Sequence, residues 1–141
     1  MDIRELEEIL RKSWSKETCS PGLKETYSAD NPSLGHCAIT AMIVNDLFGG
    51  KIMRCMASTG SHYYNLIDGK IVDLTVEQFQ GEIPQYEQGE ERTMEYLLSN
   101  EDTKKRYLML SNWVMYYMNT INTAGNNKIV EDIMVKRRER N

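Results

Sequence analysis

The chain has 141 residues, a formal net charge of −4, and 40% hydrophobic against 27% charged residues. This is the profile of one soluble globular domain, 1–141, long enough to bury a core without staples. A pI of about 5.3 argues against a general nucleic-acid binder, which needs a basic face, and no apolar run approaches the roughly 20 residues that span a bilayer.

The first residues, Met1-Asp2-Ile3-Arg4-Glu5-Leu6-Glu7-Glu8, are acidic and helical rather than a signal peptide, so a cytoplasmic protein is expected. Ile3, Leu6, Ile9 and Leu10 make one apolar stripe over residues 2–13, and Trp14 extends it as a core plug. Residues 15–35 are rich in Ser, Thr, Pro, Gly and Asn and read as a long irregular loop, closed by the turn signal Asn31-Pro32-Ser33-Leu34-Gly35. Residues 37–48 are apolar on nearly all sides, which marks a central buried helix, and Gly49-Gly50 stops it.

Residues 51–57 read as a strand, broken near Thr59-Gly60. Residues 62–67 and 70–74 read as two more, joined by Asp68-Gly69. A two-residue Asp-Gly loop between such runs predicts a β-hairpin with a type I′ turn. Residues 76–91 look polar and loop-like, with a short turn near Glu77-Gln78-Phe79. A short helix over 93–99 and a long one over 102–119 follow, the latter carrying Met109, Trp113, Met115, Tyr116, Tyr117 and Met118, mostly core. An excess of aromatics there could also form a homodimer surface. A last helix covers about 127–139, and its basic end, Lys136-Arg137-Arg138-Glu139-Arg140, suits the negative pole of a helix. The expected fold is α+β: a central helix packed on a small antiparallel sheet of three or four strands, with N- and C-terminal helices around it.

One constellation carries chemistry. If Asp68 and Gly69 form the loop, Ile67 faces Lys70, Leu66 faces Ile71, Tyr64 faces Asp73 and His62 faces Thr75. His62, Tyr64, Leu66, Ile71, Asp73 and Thr75 then share one face of the sheet. His62 and Asp73 become diagonal neighbours, with Cα atoms roughly 7–8 Å apart, so the carboxylate can hold the imidazole in one tautomer. Cys37 opens a helix, where the positive pole and unpaired N–H groups favour a thiolate and can stabilise an oxyanion. The helix must pack on the face that carries His62 and Asp73 for the three to meet. A thiol, an imidazole and a carboxylate in line point to cysteine-dependent acyl transfer: Cys37 the nucleophile, His62 the base, Asp73 the orienting acid, with no cofactor.

Other residues have plainer readings beside functional ones. Tyr64 lies on the site face and lines a substrate groove or packs the core. Asn31 donates to an oxyanion or simply makes an Asn-Pro turn. Asn65, on the opposite face, is structural. The three cysteines are an odd number without CxxC spacing, so in a reducing compartment they are free thiols, with Cys19 and Cys55 structural. A zinc site from His36, Cys37, Cys55 and His62 lacks ligand spacing of a known type. The rivals to an enzyme acting on a peptide, protein or small acyl substrate are a non-catalytic binding module and a redox or metal sensor using Cys37 with Cys55.

Several of these segments resemble the YunG-like family of small bacterial proteins: Asn31-Pro32-Ser33, Gly35-His36-Cys37-Ala38-Ile39-Thr40-Ala41, Phe48-Gly49-Gly50-Lys51-Ile52, Ser61-His62-Tyr63-Tyr64-Asn65, Asp73-Leu74-Thr75 and Gln78-Phe79. Asp102-Thr103 and Arg106-Tyr107 add to the resemblance, which covers about residues 13–110. It implies a compact papain-like or transglutaminase-like core with Cys37, His62 and Asp73 as its triad. It also implies Gln directly before the cysteine, where this chain has His36; if that Gln donates to an oxyanion, either a His36 ring N–H takes its place or the function is lost.

Overall fold

A computed structural model of the chain describes residues 1–121. The helix expected over 127–139 and its basic end lie outside these described residues. In chain order the elements are α1 (Ile3–Ser13), α2 (Cys37–Phe48), β1 (Lys51–Ala57), β2 (Gly60–Ile67), β3 (Lys70–Val72), β4 (Glu90–Arg92), α3 (Met94–Leu98) and α4 (Glu101–Ile121). Single 3₁₀ turns lie at Pro21–Leu23, Val76–Phe79 and Tyr86–Gln88. The fold is α+β, and its four strands form one antiparallel sheet in the order β3-β2-β1-β4.

Helix α1 starts where the Asp2 carboxylate accepts the Glu5 backbone N–H at 2.9 Å. It buries Leu6, Ile9 and Leu10 against α4. Trp14 is the expected plug: it is buried, and its indole N–H donates to Thr40 Oγ1 at 3.0 Å. Helix α2 is the centre of the core, with Ile39, Met42, Ile43 and Val44 buried between α4 and the sheet. On α4, Tyr107, Leu110, Val114 and Met118 are fully buried. Trp113 and Tyr116, expected mostly in the core, are about half exposed, because α4 turns only part of its surface toward α1 and α2.

The Asp-Gly hairpin forms in the expected register, Ile67 opposite Lys70 and Leu66 opposite Ile71. Asp68 (φ 52°) and Gly69 (φ 76°) both have positive φ, as a type I′ turn requires. β3 is shorter than the sequence suggests. It stops at Val72, opposite Asn65, so the flank of β2 from Gly60 to Tyr64 has no β3 neighbour. β4 was not expected. It pairs Ile52 with Arg92 and Arg54 with Glu90 on the far edge of β1.

The helix does not lie on the expected face of the sheet. Ile52, Tyr63 and Ile67 belong to the cluster around α2, and Asn65 Nδ2 donates to the Ala41 carbonyl of that helix at 2.9 Å. By alternation, His62 and Tyr64 project to the other face. There the segment after β3 covers them: Phe79 sits edge-on to the His62 ring with centroids 4.7 Å apart, and Tyr86 edge-on to Tyr64 at 4.9 Å. Both faces of β2 are therefore buried, and α2 reaches His62 only through its first turn, at the flank that β3 leaves open.

Asn65 is a buried amide tying strand to helix, which is the structural role expected of it. Asn65→Ala removes that bond and leaves a void, a loss of about 2 kcal/mol. Urea unfolding should show it as a lower midpoint with unchanged m-value; an unmoved midpoint would mean that the amide does not clamp α2.

No helix among the described residues is long and apolar enough to cross a membrane.

Candidate active site

Cys37 is the first residue of α2 and is partly exposed. The residue before it, His36, occupies the N-cap position but makes no side-chain cap. The first N–H groups of the helix therefore point outward at its positive pole. The preceding loop sets this start. The His36 N–H donates to Ser33 O at 3.1 Å, and the Gly35 carbonyl accepts the Ser20 N–H at 3.0 Å. Gly35 has φ +75° and lies against Cys19 so closely that a Cβ would overlap its sulfur. Only glycine lets residues 15–35 wrap so tightly around the turn that leads into Cys37.

His62 is fully buried, and its Nε2 lies 2.7 Å from Asp73 Oδ2. Asp73 is held from four sides. The same oxygen accepts Tyr86 Oη–H at 2.6 Å, while Oδ1 accepts the Thr75 N–H at 3.3 Å and hydroxyl at 3.4 Å. The Tyr86 phenol is pushed up by burial and by its bond to Asp73, so it stays protonated and donating. Nε2 is thus committed to the carboxylate, which leaves Nδ1 for the thiol. Nδ1 is buried and makes no hydrogen bond of ordinary geometry, yet Cys37 is near enough to act on the ring. Burial lowers the proton affinity of His62, but the Asp73 hydrogen bond and the neighbouring Cys37 outweigh it and raise the pKa to about 9.

His62 and Asp73 are therefore brought together as the register argument requires, although Asp73 lies just past β3 rather than on it, and Cys37 lines the same cavity as His62 although α2 packs on the other face. The other candidates stand elsewhere. His36 is fully buried, with Nε2 2.7 Å from Thr18 Oγ1 and Nδ1 2.9 Å from Leu34 O. A carbonyl only accepts, so Nδ1 carries the proton and Nε2 accepts from Thr18. Burial pushes its pKa down to about 4. Both ring nitrogens are used inside the loop, and His36 offers no N–H to an oxyanion. Asn31 donates instead to Gln78 O at 3.2 Å, bracing the loop against the turn after β3. Tyr64 is buried, stacks on His62 at 6.4 Å and donates to Tyr86 O at 3.2 Å, so it packs the imidazole rather than lining a groove.

All three cysteines are free thiols. Cys19 is buried, its thiol against Leu34 O, and its pKa is raised by burial. Cys55 sits directly across from His62 in the sheet but is buried, and burial, then Asp73 and Cys37, push it up to about 11. Among the described residues no cluster of His, Cys, Asp or Glu is disposed to hold a metal ion.

Cys37 and His62 open onto a cavity of about 310 Å³, walled by Ser20 and Leu23 of the long loop, by Gln78 and Phe79, and by Thr103 and Arg106 of α4. The sequence reading gave none of these a place in the site, and it missed Tyr86. The visible signal was slight: an aromatic and an amide side by side, Gln78-Phe79, within a polar stretch.

A family model described as YunG protein matches residues 2–119. The "Uncharacterized protein YunG" of Bacillus subtilis (strain 168) is 34% identical over 113 residues, covering 80% of this chain and 91% of that protein. No solved structure matches. A family-model match over most of this chain, with a relative matched over most of its own length, means that this chain belongs to the YunG family.

Proposed function

We propose that the protein is a cysteine-dependent acyl-transfer enzyme, a compact relative of the papain-like and transglutaminase-like core. The observation that carries this reading is the 2.7 Å bond between His62 Nε2 and Asp73 Oδ2, which leaves the other ring nitrogen to a cysteine at an uncapped helix start. In this reading Cys37 Sγ attacks an amide, ester or thioester carbonyl. His62 takes the thiol proton and later gives it to the leaving group, and Asp73 keeps the ring in one tautomer and supports its charge. The acyl group then passes from sulfur to water or an amine. The cavity fits one acyl group or side chain of a peptide, protein or small substrate.

Alkylation by iodoacetamide in the native state tests this. Cys37 should be labelled alone among the three thiols, since Cys19 and Cys55 are buried and held protonated. Its rate at pH 6 should exceed that of the same thiol in the urea-unfolded chain. If Cys37 reacts at pH 6 no faster than the same thiol in the urea-unfolded chain, the protein is a binding module on this fold rather than an enzyme.

A further inference from the structure

Among the described residues three buried side-chain N or O atoms lack a hydrogen-bond partner: His62 Nδ1, Gln78 Nε2 and Ser111 Oγ. His62 and Gln78 both line the cavity at Cys37. An unpartnered buried donor is unfavourable and rare in a folded protein, and it signals a partner that comes and goes. For His62 that partner is the Cys37 thiol.

Gln78 is 8% exposed and fixed on three sides. Its backbone N–H donates to Thr75 O at 3.1 Å, beside the acid of the triad. Its carbonyl accepts from Asn31. Its side-chain Oε1 accepts the Gly35 N–H at 3.4 Å, two residues before the nucleophile. A backbone N–H needs an oxygen opposite it, so this contact sets which end of the amide is which and leaves Nε2 as the free end. Arg106, which also lines the cavity, directs Nε to Asp102 at 2.7 Å and Nη1 to Thr18 O at 3.2 Å.

We propose that Gln78 is an oxyanion-hole residue, its Nε2–H acting with the backbone N–H groups at the start of α2. This rests on the acyl-transfer reading above and adds a catalytic residue to it. As Cys37 Sγ bonds to the carbonyl carbon, the C=O π pair moves onto oxygen, and that oxygen accepts from Nε2 and from the helix start. The thiol proton is on His62. Collapse restores the C=O bond and expels the leaving group. Gln78 sits between the Cys37 loop and the Asp73 turn, so one residue couples the donor's position to both.

Two reagents separate this proposal from the reading beneath it. Alkylation by iodoacetamide displaces iodide and forms no oxyanion. Acylation by p-nitrophenyl acetate forms one, and its first turnover is read as a burst of p-nitrophenolate. In Gln78→Met, which keeps length and bulk, and in Gln78→Ala, the burst rate should fall about 100-fold while alkylation stays within about twofold of wild type. Fast alkylation with an unchanged burst rate in both variants overturns the role of Gln78 alone. So does a parallel fall of both rates, which marks Gln78 as a brace, or a fast-alkylating wild type that gives no burst. Slow alkylation of wild-type Cys37 overturns the acyl-transfer reading and this proposal with it.

Discussion

His62→Ala is expected to slow alkylation of Cys37 at pH 6 by about 100-fold, the low end of what a positioned imidazole contributes. In the wild type burial lowers the proton affinity of the ring, but Asp73 and Cys37 outweigh it and raise the pKa to about 9. The ring is therefore cationic at pH 6, and in the acyl-transfer reading that charge beside Cys37 favours attack by its sulfur. His62 is buried between Phe79 and Tyr64, so the variant also opens a void. His62→Gln fills most of it and should show the same slowing. A wild-type rate that survives both substitutions would mean that the imidazole does not activate Cys37, and the meeting of Cys37, His62 and Asp73 would be a coincidence of packing.

The part of this site that could be read from sequence is the part fixed by short-range rules. Asp68-Gly69 forces a two-residue turn, and the turn forces the register that brings His62 to Asp73. The apolar run 37–48 and the loop before it place Cys37 at a helix start. What was not legible depends on which layer covers which face. Alternation sorts the side chains of β2 into two sets, but it does not say which set meets the helix. Here both sets are buried, Tyr63 and Asn65 toward α2 and His62 and Tyr64 under Phe79 and Tyr86. β4 escaped notice because Glu90-Glu91-Arg92 has no apolar alternation and joins the sheet through its backbone alone. Tyr86 and Gln78 reach the site from a stretch whose composition reads as loop. Their roles arise from contacts to Asp73 and Gly35, 13 and 43 residues away.

His36 is where the sequence reading and the structure differ most, and it yields the largest effect on stability. The native state holds its imidazole neutral, down at about 4, because it is fully buried, while the unfolded chain titrates it near 6.5. Between those values the unfolded state binds more protons, so stability rises with pH. The contribution is complete above about 6.5 and is lost as pH falls toward 4, amounting to about 3 kcal/mol. The chain has only two histidines, and the other works in a separate window. His62 has a raised pKa, so its contribution is complete below about 6.5 and is lost as pH rises through about 9. Loss on the acid side above about pH 4.5 therefore belongs largely to His36. Urea unfolding at steps from pH 7 to 4.5 should show the wild type losing about 2 kcal/mol more than His36→Gln, which keeps polar atoms toward Thr18 and Leu34 but does not titrate. Parallel loss in the two proteins would mean that the imidazole is charged in the native state.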